Sequence, residues 1–444
     1  MSSPQLPDPS TSGQHLIYPI FFMLGVGSLF PWNCFINATA YFSTRFCGGS
    51  RADDYLAFFS VVFNFTEVVA LVCCVKYGWS RVTGPLLTYT FVFLLCSILV
   101  LLPDSSIITK DFLFYFTCLS LAVVGICTAL MSGGVFGLAG IFPPICTQAL
   151  MSGQGLAGVI VSLSSIFTTL AVAPDDDDCQ GDDDQNPEEE TCKEYTTDWA
   201  AFSYFIVAVI TLLICVACYA TLDRLPITAY YRENARRGSG EKGEGLEDPL
   251  LDNVMEQSSD DGKVANILKA IRAPAFAVFT SFAVTLALFP TITSRIESES
   301  KCESSARFHN DLFVPFSFLI FNTFDFLGRV IPGFFVPSVK SLQRGTVIAS
   351  LARFVFFPLF LLCNVKGTQL PTPFSNDFFP IFIMLLFALS NGSTSSYSMM
   401  LGPQLVPASE QELTGTVMIF FLSSGLMAGS AMSFICLKIG TGEW

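Results

Sequence analysis

The chain has 444 residues; 52% are hydrophobic, only 14% are charged, and Phe alone supplies 45. Its formal net charge of −14 gathers in one acidic stretch between Pro174 and Asp198, so it describes a loop rather than a charged surface. That balance excludes a basic nucleic-acid face, and the scattered Cys and His residues lack metal-ligand spacing, so neither a metal nor any other cofactor is expected.

Apolar runs of about 20 residues recur from end to end, each long enough to cross a bilayer as a helix. They predict an all-α polytopic membrane protein with about eleven transmembrane helices. The spans fall near 16–41, 55–75, 84–102, 112–141, 151–173, 199–221, 270–293, 312–336, 345–364, 378–401 and 413–438. Met1–Gly13 is polar and the first apolar run is too long for a leader, so no cleavable signal peptide is expected. Arg232, Arg236 and Arg237 mark the loop at 222–269 as cytoplasmic. The tail at 1–15 then lies on the same side, with the acidic loop at 174–198 and the end at 439–444 outside. The stretch from Arg236 to Gly262 is rich in Gly, Glu and Ser and predicts disorder. It divides the spans at 16–221 from those at 270–438, a 6+5 arrangement. Glu247-Asp248-Pro249-Leu250-Leu251 is a weak match to a dileucine sorting signal, and ordinary loop is the plainer reading.

Polar residues inside apolar spans carry the functional information, because each one costs insertion energy. In the first span Gly25 and Gly27 precede Pro31, Trp32 and Asn33, a pattern that predicts a weakened mid-span helix with an aromatic face and an amide beside it. The second span places Asn64 and Glu67 near mid-membrane. Glu67 admits a salt bridge to Arg353 or Arg329, a protonated structural role, or a proton or cation site. Glycines crowd residues 133–140 and 152–158, which predicts close helix packing. Gln154 is expected at a membrane edge, capping or gating. Phe289 and Pro290 form a break near the outer face, a gating candidate. In the eighth span Asp325 and Arg329 are four apart, so they share a helix face and can pair. Arg81 and Glu412, in inside loops, are positioned to meet when that side closes. Cys179 and Cys192 bracket the acidic run as a candidate disulfide.

Several of these stretches together resemble the equilibrative nucleoside transporter family (solute carrier family 29). The matching pieces are Pro31-Trp32-Asn33, Phe136 to Gly140, Met151 to Gly158, Phe321-Asn322 with Phe324-Asp325 and Gly328-Arg329, Arg353 to Phe356, and Ser390-Asn391-Gly392. They run in family order from the first span to the last. The resemblance implies a fold like the major facilitator superfamily and facilitated, bidirectional movement of nucleosides or nucleobases by alternating access. It implies a substrate site lined by Leu29, Trp32, Asn33 and Ile36, with Phe318, Asn322, Asp325 and Arg329 facing them. Where the family has a glutamine near the Phe136 stretch this chain has Ser132, which removes a two-sided amide from the base site. Glu67 is a second departure and keeps open a cationic or proton-linked substrate. A monomer in the plasma membrane is expected, with lysosomal or other endomembranes as the alternative. A membrane receptor is the remote alternative, and a hydrolase is opposed by the lack of a Ser/His or His/Glu constellation in the spans.

Overall fold

The computed structural model describes residues 13–47, 55–78, 81–102, 109–171, 198–240, 252–303 and 305–441. Among these residues the regular structure is helical, joined by turns and loops, with two isolated bridges, Ile296 with Val365 and Cys363 with Phe374. Among the described residues eleven helices are long and apolar enough to span a membrane.

The first six spans are α1 (Gln14–Asn37), α3 (Tyr55–Tyr77), α4 (Thr83–Leu101), α5 (Lys110–Ile141), α6 (Pro144–Ala171) and α7 (Trp199–Arg224), with the short α2 (Thr39–Phe46) after α1. Polar side chains start some of them: Thr109 Oγ1 accepts from Phe112 N at 3.2 Å, and Asp198 Oδ1 from Ala201 N at 2.9 Å. Each satisfies a donor that a helix N-terminus leaves free. The remaining spans are α9 (Asp252–Leu288), α10 (Phe313–Val330), α11 (Val339–Ala352) continued by α12 (Phe356–Leu361), α13 (Phe378–Gln404) and α14 (Gln411–Thr441). Within the first half α1 packs on α6 and α7, and α3 on α5; within the second, α9 packs on α14 and α10 on α13. The halves meet where α10 and α13 lie on α6, and α14 lies on α3 and α5. Large apolar side chains face outward, Phe167 and Ile348 being 68% and 67% exposed. Such a surface is stable where the surrounding solvent is lipid.

Three expectations change. The first helix runs unbroken through Pro31 to Asn37, and the chain turns at Ala38, whose N–H reaches Cys34 O and Phe35 O. The fifth span starts at Pro144 rather than near 151, because polar Thr147 and Gln148 dilute the hydropathy of a stretch that is buried in protein from Cys146 to Leu150. The loop at 222–269 contains helix: α8 (Pro226–Gly240) buries Ile227 and Thr228 and sets Tyr231 against Phe142, ring centres 4.7 Å apart. Proline at its first position and a Glu233–Arg237 pair favour that helix. Part of the expected disordered stretch (241–251), with the dileucine-like run, and Cys179 and Cys192 all lie outside the described residues. Cys47 and Cys302 are both disulfide-bonded.

Candidate functional site

The face of α10 that turns inward is Phe313, Ser317, Phe321, Asp325, Gly328 and Arg329, the spacing that one helical stripe requires. Asp325 and Arg329 are 4% and 5% exposed. Arg329 Nε donates to Asp325 Oδ2 at 2.7 Å, the pair foreseen from their spacing. Asn391 Nδ2 of α13 donates to the other carboxylate oxygen, also at 2.7 Å. Both oxygens of the buried acid are therefore occupied by strong donors, which is the condition for keeping a charge in a dry interior.

The arginine also reaches across to the first half. Its Nη1 donates to Met151 O at 3.2 Å and Gln154 Oε1 at 3.3 Å, and Gln154 Nε2 donates to Ser28 Oγ of α1 at 3.1 Å. The backbone carbonyl of Arg329 accepts from Gln148 Nε2 at 3.1 Å and Ser152 Oγ at 3.2 Å. Gln154 is thus no edge cap: with the helix beginning at Pro144, it sits well inside α6 and receives the arginine. Behind Asp325 the chain of bonds continues through Thr285 of α9 to Arg353, which lies at the C-terminal end of α11.

Two glycines allow this closeness. A Cβ on Gly158 would sit 2.2 Å from Asn322 Oδ1, and one on Gly392 would sit 2.0 Å from Asp325 O. Any larger residue would push the helices apart. Asn322 itself is half-buried, and its Nδ2 donates to Ser162 Oγ of α6 at 2.7 Å and Phe318 O at 3.0 Å.

The remaining expected site residues divide. Trp32 is half-buried and stacks on Phe63 of α3, ring centres 4.0 Å apart. Leu29 and Asn33 are half-buried on the same helix, and the side chain of Ile36 lies outside the described set. Ser132 is buried on α5, and no hydrogen bond among the described residues joins it to the Asp325 network. Phe289 stacks on Phe321 at 4.0 Å and tilts against Phe318 at 4.8 Å, while Pro290 is exposed beside it. Arg81 and Glu412 flank α5 at Gly134 and Gly137, both exposed, and no ion pair among the described residues joins them. Glu67 pairs with neither arginine. It is 8% exposed and accepts from Ser423 Oγ of α14, a helix packed on α3, at 3.1 Å. Arg353 is held by Thr285, Ser390 and Phe387 O, with its guanidinium 4.6 Å from the Phe387 ring. Sequence reasoning missed Ser28, Gln148, Thr285 and Ser423 entirely; Asn391 fell in a matching motif without a role.

The described residues thus form an eleven-span helical membrane protein whose two halves share a buried arginine. FucP, a major facilitator superfamily transporter in the outward conformation, aligns with TM-score 0.58 at 12% identity, covering 96% of this chain and 92% of that one. The proton:xylose symporter XylE aligns with TM-score 0.56 at 13% identity, over 95% and 87% of the two chains. These likenesses establish the fold. The family model for the nucleoside transporter matches residues 118–437. Human equilibrative nucleoside transporter 1 is 31% identical over 469 aligned residues, covering 94% of this chain and 96% of the relative. Equilibrative nucleotide transporter 1 of Arabidopsis thaliana is 29% identical over 437, covering 95% and 86%. The chain belongs to the nucleoside transporter family; it is an integral membrane protein of a transporter family, and the receptor and hydrolase readings fall away.

Proposed function

We propose that this protein moves nucleosides, and with them nucleobases, down their gradients by alternating access, as a monomer in the plasma membrane with its N-terminus in the cytoplasm. The observation that carries this reading is Arg329, buried in the second half yet bonded to Met151 O and Gln154 Oε1 of the first. A nucleoside is neutral, with an aromatic base and hydroxyls on the sugar. Asp325 accepts sugar hydroxyls and Arg329 donates to them, exchanging part of their present bonds for bonds to the ligand. Each charged hydrogen bond contributes about 1.5–3 kcal/mol, enough for selection and weak enough for release. Trp32, with one face covered by Phe63, offers the other to the base; Leu29, Asn33, Ile36, Phe318 and Asn322 complete the lining, and Ser132 tunes base choice. Phe289 and Pro290 act as the outer gate, and Arg81 and Glu412 as the inner one. Sharing of one site between two rocking halves is the physical basis of alternating access.

The test is counterflow of labelled uridine in vesicles holding the purified protein, without a sodium or proton gradient. Saturable exchange supports the reading, and exchange only with a gradient overturns its equilibrative part. A second reading, a cationic or proton-linked substrate, is favoured by one observation. Glu67 is a buried acid whose hydrogen bond comes from a neutral hydroxyl, with no cation on it among the described residues. Competition by a monoamine against uridine separates the two.

A further inference from the structure

We propose that Arg353 is a positioning residue for Asp325, placing a second positive charge behind its carboxylate through the donor chain Arg353 to Thr285 to Asn391 to Asp325. Arg353 is 1% exposed, and no carboxylate contacts it among the described residues. Its Nη2 donates to Thr285 Oγ1 at 2.8 Å, Thr285 Oγ1 lies 2.8 Å from Asn391 Oδ1, and Asn391 Nδ2 donates to Asp325 Oδ1 at 2.7 Å.

The direction of each bond follows from what its partners can do. A carboxylate only accepts, so the Asn391 amide must present its NH₂ to Asp325 and its oxygen to Thr285. A guanidinium only donates, so the Thr285 oxygen accepts from Arg353 and its single hydrogen points elsewhere. Two acceptors lie in reach of that hydrogen, Ser281 O at 2.7 Å and Asn391 Oδ1 at 2.8 Å. Ser281 O is the natural acceptor of the helical N–H four residues on, whereas Asn391, 1% exposed, would keep a buried oxygen without a donor. The hydroxyl therefore donates to Asn391. A cation at one end and an anion at the other polarise every bond between them in the same sense.

What the chain does depends on where its members sit. Arg353, Thr285, Asn391 and Asp325 all belong to the second half, and they move together. Arg329 does not have that freedom, because the first half holds its Nη1 and its backbone carbonyl. This rests on the transport reading: when the halves part, the bonds of Arg329 to α6 must change, and the chain keeps Asp325 oriented and matched in charge through that step. Arg353 then acts on turnover more than on substrate affinity.

The experiment uses the full chain, purified and returned to vesicles, with Thr285→Val and Thr285→Ser. Valine keeps the shape and removes the hydroxyl; serine keeps the hydroxyl and leaves a small gap. Thr285→Val is expected to lower the maximal uridine flux per folded protein about tenfold while KM changes less than about threefold, and Thr285→Ser to recover at least about half of the flux. Wild-type flux in Thr285→Val, or equal impairment by serine and valine, overturns the proposal. A melting-temperature cycle judges the chain independently of transport. Thr285→Val should lower the melting temperature of the parent and lower that of Asp325→Asn by less than half as much. Equal losses in both backgrounds overturn the chain; absence of uridine flux from the parent overturns the transport reading alone.

Discussion

Among the described residues two carboxylates lie buried in the spans, Asp325 in the second half and Glu67 in the first, and their surroundings differ sharply. Asp325 has a guanidinium on one oxygen and an amide on the other, with a second arginine two bonds further on. Glu67 accepts, among the described residues, one side-chain hydrogen bond, from Ser423. A buried charge whose partner is removed costs several kcal/mol, whereas a buried acid with a lone hydroxyl partner has little to lose when its own charge is removed. Residue type alone therefore assigns neither role. The number and charge of the donors around it do, and by that measure Asp325 is held as a paired charge whereas Glu67 has only a neutral donor among the described residues.

The contrast breaks most visibly at Asp325. Asp325→Asn should reduce nucleoside uptake at least about a hundredfold at equal surface abundance, because Arg329 is left buried without its anion; wild-type uptake leaves only a structural role. Gln154→Leu removes the acceptor that ties Arg329 to α6 and the donor to Ser28, so uptake should fall about tenfold, as counted by initial rates in the same vesicles. Ser132→Gln restores the longer amide and should shift the ratio of adenosine to uridine uptake about fivefold, measured side by side; equal depression of both means that the position only packs. Smallest of all, Glu67→Gln should change neutral nucleoside uptake less than about twofold and should abolish any uptake of a monoamine. A tenfold loss of uridine flux would make Glu67 as indispensable as Asp325 and end the distinction.

How much of this was legible beforehand follows from the range over which sequence patterns act. The pairing of Asp325 with Arg329 is local, one helical turn, so spacing alone predicts it. The eleven spans are equally local, since each is an apolar run bounded by polar residues. Asn391 is 66 residues from Asp325 and 106 from Thr285, and isolated amides and hydroxyls in apolar helices give no sign of which distant partner they meet. An apolar run starting near 151 puts Gln154 at an edge, whereas the helix starts at Pro144 and buries Thr147 and Gln148. Glu67 was offered two arginines as partners because charge invites charge, and only the packing of α14 on α3 directs it to a hydroxyl.

The same long-range bonds have a consequence for how the polypeptide is held as one object. Arg329 to α6, Ser423 to Glu67, and Arg307 to the carbonyls of Thr169 and Leu170 at the end of α6 all join the halves without using the segment between α8 and α9. On that basis the two halves should associate even without the peptide link between them. Residues 1–240 and 252–444, made as separate polypeptides in one membrane, should find each other and copurify, their recognition written in the contacts of α10 and α14.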